Sequence, residues 1–453
     1  MRGVRNQSES RPPVRVVNAR DAALRVLAEH AGRMPDLLPA EPDTDGMAPR
    51  DAALAHMLVD ASLRRWITLS YILEMAGGRD VRDTEPGMQA ALVGGAAQIL
   101  LLDRIPDHAA IDETVEWAKH RIRPKAAGMV NAILRRVVEA RGERVGAWDD
   151  RRDAIPLSDG GAITLRGVLL PEDPEYRLVI AASLPGALLK SWSHSGADLT
   201  ALALHTLVHP PTVCFVAGAD AIADDARFVP HEQADHAVFT GERAELGEAL
   251  RRHPGVWVQD PAASEVVSGL ADEDEAVVVD LCAGRGTKTR QLLRVFPRAG
   301  IIASEIDDAR LRVMAEVFAD EPRVEVVHGD DLTPRGDGWA DLVLTDVPCS
   351  NSGVLARRTE ARYRVRSDAM KRLIATQREI LQTAASMVRP GGRLVYSTCS
   401  LEREENLEQA EWAARTLGLS IERERAVLPE GEPGDPATMY RDASYAVEMR
   451  RPR

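Results

Sequence analysis

The amino-acid sequence predicts an α/β protein in which a mostly parallel sheet follows an all-helical domain and a small α+β subdomain. Three observations carry this prediction. From Val277 onward, short, fully apolar runs rich in β-branched residues alternate with helical segments, the pattern of a parallel sheet covered on both faces. Before Ala147, apolar residues recur at helical spacing. Between these regions, from Ala162 to about Gln259, short apolar runs alternate with turn signals.

A chain of 453 residues exceeds one typical core, and the three patterns place domains at residues 1–150, 151–260 and 261–453. In the first, helices are expected around residues 22–27, 53–63, 88–102, 111–118 and 129–138, with a Pro-, Asp- and Gly-rich loop at 35–49. Residues 150–159 read as a polar, charged linker. Runs at 163–170, 213–216 and 255–258 mark the middle subdomain. In the third, strands are expected at 277–281, 300–304, 324–328, 341–345 and 393–397, with a helix at 289–295 after the first. Ligands of such sheets bind at the carboxyl ends of the strands, and each motif described below sits at one of those ends.

Composition narrows the class. Hydrophobic content of 45% and charged content of 28% are ordinary for a globular protein. Residues 1–10 are polar and lack an apolar signal segment. The most apolar stretch, 88–102, contains Gln89, Gly94, Gly95 and Gln98 and is shorter than the roughly 20 residues that span a bilayer, so it is expected as a buried helix and no membrane partner is expected. Cys214, Cys282, Cys349 and Cys399 are too few and scattered for a disulfide framework, and no pair has zinc spacing, so no metal is expected and a reducing cytoplasm fits best. A monomer is expected. A net charge of −13 opposes a generic nucleic-acid binder. Two basic stretches offset it: Lys119, Arg121, Arg123, Lys125, Arg135 and Arg136, and the run from Arg357 to Arg378. Each either follows a phosphate backbone or is a solvated helix face.

The loop from Asp280 to Thr289 joins the first strand of the sheet to its first helix, with Gly284 and Gly286 permitting a tight turn. Thr289 stands where a dinucleotide fingerprint needs a third glycine, and Thr287 where a phosphate-cradling loop needs glycine before lysine. Glu305 ends the second strand, where a carboxylate can accept from ribose hydroxyls, and Asp330 ends the third, where it can accept from an adenine amino group. A nucleoside ligand without phosphate is favoured, S-adenosyl-L-methionine being the commonest, although each carboxylate alone would equally cap a helix.

The strongest signal is a pair of strand ends, Thr345 to Gly353 and Tyr396 to Ser400, which bring Cys349 and Cys399 to one crevice if their strands are neighbours. A lone cysteine there is usually a small hydrophobe, but two at the ligand edge point to chemistry. Carbon 5 of cytosine is too weakly nucleophilic to attack a methyl sulfonium. Adding a thiolate to carbon 6 makes an enamine-like ring whose carbon 5 can attack. A basic or polar pocket that lowers the thiol pKa would help. Asp346 is placed to polarise the ring at N3 and the exocyclic amine. A base must then remove the carbon 5 proton, either the second cysteine or a water.

These residues resemble the bacterial ribosomal RNA cytosine-C5 methyltransferases of the RsmB (Fmu/Sun) type. The family's Asp-x-Cys-Ala-Ala-Pro-Gly-Gly-Lys-Thr is matched by Asp280 to Thr289, its Asp-Ala-Pro-Cys-Ser-Gly-Thr-Gly-Val by Asp346 to Val354, and its Tyr-Ser-Thr-Cys-Ser by Tyr396 to Ser400, followed by Glu402, Glu405 and Asn406. Pro106 to Ala110 and Gly128 to Arg136 are similar to the NusB-like RNA-binding domain of that subfamily, and Val256 to Asp260 with Ala263 and Ser264 to its entry into the catalytic domain. The resemblance implies a Rossmann-like methyltransferase domain that uses S-adenosyl-L-methionine to methylate cytosine C5 in RNA, with 16S ribosomal RNA as substrate. Transfer RNA, or a non-catalytic RNA-binding or ribosome-assembly factor, are the rivals. It further implies that Cys399 is the nucleophile, that Cys349 assists product release, and that Cys282, Ala283, Gly284, Arg285, Gly286, Thr287 and Lys288, with Glu305, Asp330 and Asp346, line the cofactor and base site. The chain departs from the pattern at Gly284 to Thr287, at Asn351 and Ser352, at Glu305 in place of aspartate, and at Cys214 to Ala217 in place of an Arg-Val-Asn strand. Aromatic content of 4% leaves few platforms on which unpaired bases can stack.

Overall fold

The computed structural model describes residues 18–193, 196–335, 337–365 and 367–453, apart from the side chains of 219, 333–335 and 367. The chain divides into two compact units, residues 1–34, 38–142 and 166–168 in one and 35–37, 143–165 and 169–453 in the other.

The first unit is helical: α1 (Ala19–Arg33), α2 (Pro49–Arg64), α3 (Trp66–Gly77), α4 (Pro86–Leu101), α5 (Asp107–Arg121) and α6 (Ala126–Ala140). Prolines begin α2 and α4, where a missing N–H costs nothing. α4 is buried almost all round, as its uniformly apolar sequence requires. Gly94 lies against Leu24 and Gly95 against Leu134, so larger side chains would push these helices apart. Gln98 is tolerated there because its amide donates to the Gly94 carbonyl and accepts from Arg20 Nε at 2.6 Å. Among the described residues no helix is long and apolar enough to cross a membrane.

Next along the chain comes a three-stranded sheet of β1 (Arg141–Val145), β2 (Ala154–Pro156) and β3 (Ala162–Leu165), in the order β1-β3-β2. β2 lies inside the stretch expected to be a linker. Its three residues are buried and pair antiparallel with β3, a strand too short to stand out among flanking charges. Helices α7 (Pro174–Ala182), α8 (Gly186–Trp192) and α9 (Leu199–His205) follow. Then β4 (Thr212–Val216), β5 (Phe228–Pro230), β6 (His236–Phe239) and β7 (Val256–Val258) form an antiparallel sheet ordered β5-β6-β4-β7, with α10 (Leu246–Arg252) before β7.

The largest sheet comprises β8 (Val277–Asp280), β9 (Gly300–Glu305), β10 (Val324–His328), β11 (Ala340–Asp346), β12 (Val388–Thr398), β13 (Ser420–Val427) and β14 (Ser444–Arg450). Its order is β10-β9-β8-β11-β12-β14-β13; β8 to β12 pair parallel, and β14 runs antiparallel to both its neighbours. The chain turns back on itself beside β8, so the carboxyl ends of β8, β9, β11 and β12 open the crevice expected of a doubly wound sheet. Alternate residues fill both faces: Val343, Leu394 and Tyr396 pack with Leu381 and Met387 of α14 (Ser367–Met387) and Ala410 of α15 (Leu407–Leu417). Leu342, Leu344 and Val395 pack on the other side with Val267 of α11 (Pro261–Ser268) and Leu292 of α12 (Thr287–Val295), and α13 (Asp308–Val317) joins β9 to β10. At roughly 1.5–3 kcal/mol for each fully buried large aliphatic side chain, these two layers hold the strand ends in place.

Folding uses up part of both basic stretches. Arg121 is paired with Asp21, Arg123 with Glu85 and Lys119 with Glu116. Arg357 bridges Asp442 at 2.6 Å and Asp260 at 3.1 Å, and the buried Arg362 donates to the Ser183 and Thr206 carbonyls. Arg358, Lys371 and Arg372 stay exposed.

Candidate active site at the carboxyl ends of the parallel strands

The loop after β8 is built by its glycines. Gly284 and Gly286 both have left-handed backbones, at φ 60° and 82°, and Gly286 caps α12. Lys288, in the first turn of α12, thereby reaches across to β11, where its Nζ donates to Asp346 Oδ2 at 2.6 Å. Burial opposes the Lys288 charge, but Asp346 together with Asp280 and Cys399 outweighs it and the lysine pKa lies above its ordinary value. Ser397 donates to the other oxygen of Asp346 at 3.0 Å, which fixes the carboxylate plane.

β11 and β12 pair in parallel through Asp346 and Ser397, so the loops that leave them run side by side. The two sulfurs predicted to share a crevice do so: Cys349 Sγ and Cys399 Sγ lie 3.2 Å apart, both free thiols and partly exposed. Gly353 explains the closeness of the loops. Its N–H donates to the Cys399 carbonyl at 3.0 Å, and a Cβ there would fall 2.7 Å from that oxygen and 2.6 Å from Ala443.

The surroundings of the Cys399 sulfur do not favour its ionisation in the free protein. Hydrogen bonding with Cys349, burial and the Asp346 charge push the Cys399 thiol well above its usual range, and Lys288 opposes them only in part. Cys282 is likewise pushed up, by burial and then by Asp280, Asp346 and Glu305. It lies in the loop after β8.

The remaining carboxylates mark the opposite side of the crevice. Asp280 is fully buried; Thr289 donates to its Oδ2 at 2.7 Å, and burial raises its pKa to about 6. Its Oδ1 has no hydrogen-bond partner among the described residues. Glu305 ends β9 with Oε1 accepting from the Ile306 and Asp307 N–H groups, whereas Oε2 is 3.9 Å from Arg310. Asp330 follows β10, and its side chain is 90% exposed, 3.6 Å from His328. Among the described residues no three His, Cys, Asp or Glu side chains converge as a metal site.

Several site residues escape a reading of motifs. Glu405 is fully buried and bridges the two cysteine loops: Oε1 accepts from the Ser350 N–H and from Gln377, both at 2.9 Å, and Oε2 accepts from Ser400 Oγ at 2.6 Å. Glu402 accepts from Trp192 Nε1 at 3.1 Å and from Ser191, which ties the Cys399 loop to α8. Asn351 contacts both cysteines, with its Nδ2 donating to the Cys349 carbonyl and its Oδ1 accepting from Cys399 Sγ. Ile306, 74% exposed beside Glu305, is a large apolar surface that an exposed-loop reading passes over. Glu402 and Glu405 carried a signal as residues that follow the third motif, and Asn351 as a departure within the second.

Comparison with known proteins agrees with this geometry. Residues 267–419 match the family described as 16S rRNA methyltransferase RsmB/F, and residues 17–139 match the NusB family. The chain is 29% identical over 408 residues to the ribosomal RNA small subunit methyltransferase B of Vibrio cholerae, covering 86% of this chain and 88% of that one. It is 28% identical over 398 residues to the protein of the same name from Escherichia coli, covering 85% and 86%. The crystal structure of PH0851 superposes with a TM-score of 0.67 at 18% identity, covering 96% of this chain and 100% of that one, a likeness of fold. Fold and matches together define a Rossmann-like methyltransferase domain behind a NusB-like helical domain. Its C-terminal part is similar to the RsmB/F methyltransferases, its N-terminal part to the NusB family, and most of its length to proteins named ribosomal RNA small subunit methyltransferase B.

Proposed function

We propose that this protein methylates carbon 5 of a cytosine in 16S ribosomal RNA, using S-adenosyl-L-methionine, with Cys399 forming a transient bond to carbon 6. The observation that carries the reading is the pair of free sulfurs 3.2 Å apart at the ends of adjacent parallel strands, beside a lysine-bound carboxylate. A binding or assembly factor would need neither thiol.

The residues present fit the cofactor. Among the described residues Asp280 leaves a buried oxygen unpaired, Glu305 has one oxygen beyond hydrogen-bond distance of Arg310, and beyond its chain neighbours nothing lies within 4 Å of where a Cβ would stand on Gly284, which leaves that side of the loop open. Cys282 to Lys288 would hold it together with Glu305 on the ribose hydroxyls, Asp330 at the adenine amine and Ile306 against the base. When bound, it supplies an electrophilic methyl group on a sulfonium.

The chain's own groups do the rest. Cys399 adds to carbon 6 as the thiolate, so its proton must first leave to water; the Cys349 sulfur is within hydrogen-bond reach of it. Asp346, held by Lys288 and Ser397, accepts from the exocyclic amine, and a proton shared between its carboxyl and N3 moves onto N3 as the sulfur adds and returns when the carbon–sulfur bond breaks. After carbon 5 has been methylated, Cys349 or a water takes the carbon 5 proton, and the carbon–sulfur bond breaks with its electrons returning to Cys399.

Incubation with methyl-labelled S-adenosyl-L-methionine and either 16S ribosomal RNA or transfer RNA tests this. Label in 5-methylcytosine of the ribosomal RNA, lost on Cys399→Ala, is the expected result. Label confined to transfer RNA would change the substrate, and no label in either would return the protein to the binding-factor reading.

A further inference from the structure

We infer that Asn351 is a positioning residue that holds the Cys399 sulfur in its protonated, donating form and thereby sets the pH at which that sulfur becomes nucleophilic. The inference rests on reading Cys399 as the attacking group. Asn351 stands where the family pattern has glycine. Its backbone is left-handed, at φ 61°, a conformation in which asparagine is several-fold enriched over other side chains.

From that backbone the amide turns onto both cysteines. Nδ2 donates to the Cys349 carbonyl at 3.1 Å, and this bond decides which end of the amide is nitrogen. Oδ1 then faces Cys399 Sγ at 3.3 Å. A carbonyl oxygen only accepts, so the sulfur must donate, and a thiolate has no proton to give. Hydrogen bonding of this kind stabilises the neutral form and disfavours the charged one. Cys349, as a second acceptor for the same proton, and burial and the Asp346 charge also oppose its ionisation, whereas the Lys288 charge favours it. A single extra acceptor therefore acts on a sulfur whose surroundings already favour the thiol. It keeps the sulfur in place without making it the reactive anion that alkylating and oxidising agents attack.

Labelling of the full chain by iodoacetamide from about pH 7 to about pH 9.5, with Cys399 and Cys349 counted separately by peptide mass spectrometry, tests the inference. Asn351→Gly suits the left-handed backbone and removes the acceptor; it should label Cys399 on the order of threefold to tenfold faster near neutral pH. Asn351→Asp keeps an acceptor and adds a negative charge; it should label Cys399 more slowly than the native chain, by a similar factor. A merely structural role would not move the two variants in opposite directions. Equal Cys399 rates in all three proteins, or a change seen at Cys349 alone, would overturn the inference. The experiment uses neither RNA nor cofactor. Ordered labelling without methyl transfer would keep the role of Asn351 and remove the proposed reaction; methyl transfer with unchanged labelling would do the reverse.

Discussion

The two sides of the crevice are built differently. At the ends of β11 and β12, Asp346, Ser350, Asn351, Ser397, Cys399, Ser400 and Glu405 are bound to one another, and nearly every polar atom already has a partner. At the ends of β8, β9 and β10, Asp280 has an orphaned oxygen, Glu305 uses only one of its two, and Asp330 and Ile306 face solvent. The bound side is fixed in advance, as groups must be that act on a reacting atom. The open side is left for a ligand to complete. The difference teaches that the same substitution, a carboxylate to alanine, should damage stability and rate on one side and affinity on the other.

Substitutions can break or sharpen this contrast. The largest effect is expected on the bound side, where Cys399→Ala should lower methyl transfer by on the order of a thousandfold or more with little change in cofactor affinity, read by single-turnover kinetics beside calorimetry. Glu405→Ala should cost about 3 kcal/mol of stability in urea unfolding, because the Ser350 N–H, Ser400 and Gln377 lose a buried acceptor together; Glu405→Gln should cost clearly less. A loss under about 0.5 kcal/mol would show that the cysteine loops do not depend on this bridge.

Asp280 is the buried carboxylate of the open side, and its folded pKa of about 6 is raised from 3.8 by burial. The folded state therefore keeps this proton to higher pH than the unfolded state does. Stability from this group declines as pH rises from about 4 to about 6 and is flat above about 7, so Asp280→Asn should gain about 2 kcal/mol on the native chain across that interval. A constant difference between the two proteins would contradict the buried, unpaired oxygen. On the open side, Glu305→Ala should weaken cofactor binding about tenfold while leaving the rate at saturation nearly intact, and Asp330→Ala only about threefold, because its carboxylate is solvated. Equal losses of rate at saturation on both sides would erase the contrast.

How much of this was legible in the sequence follows the same division. The strands 277–281, 300–304, 324–328 and 341–345 fall within a residue of those observed, since buried parallel strands read as continuous apolar runs. The meeting of Cys349 and Cys399 followed from two motifs at neighbouring strand ends. What could not be read was long-range. Trp192 and Ser191 meet Glu402 from 210 and 211 positions away, and nothing local marks them. α3 was not anticipated, and Arg357 seemed available to RNA until Asp260 and Asp442 claimed it. The environment of the sulfur is long-range too: it depends on which side chains converge, and Cys349, burial and Asp346 outweigh Lys288.

The account stands most directly on the identity of the sulfur that bonds to the base. Cys349→Ala, incubated with 16S ribosomal RNA and S-adenosyl-L-methionine, should stall before release and accumulate a denaturant-resistant protein–RNA species. Nuclease digestion and peptide mass spectrometry should place a methylated cytosine on Cys399. A nucleotide mapped to any other residue, or no adduct in a variant that still binds the RNA, would contradict it.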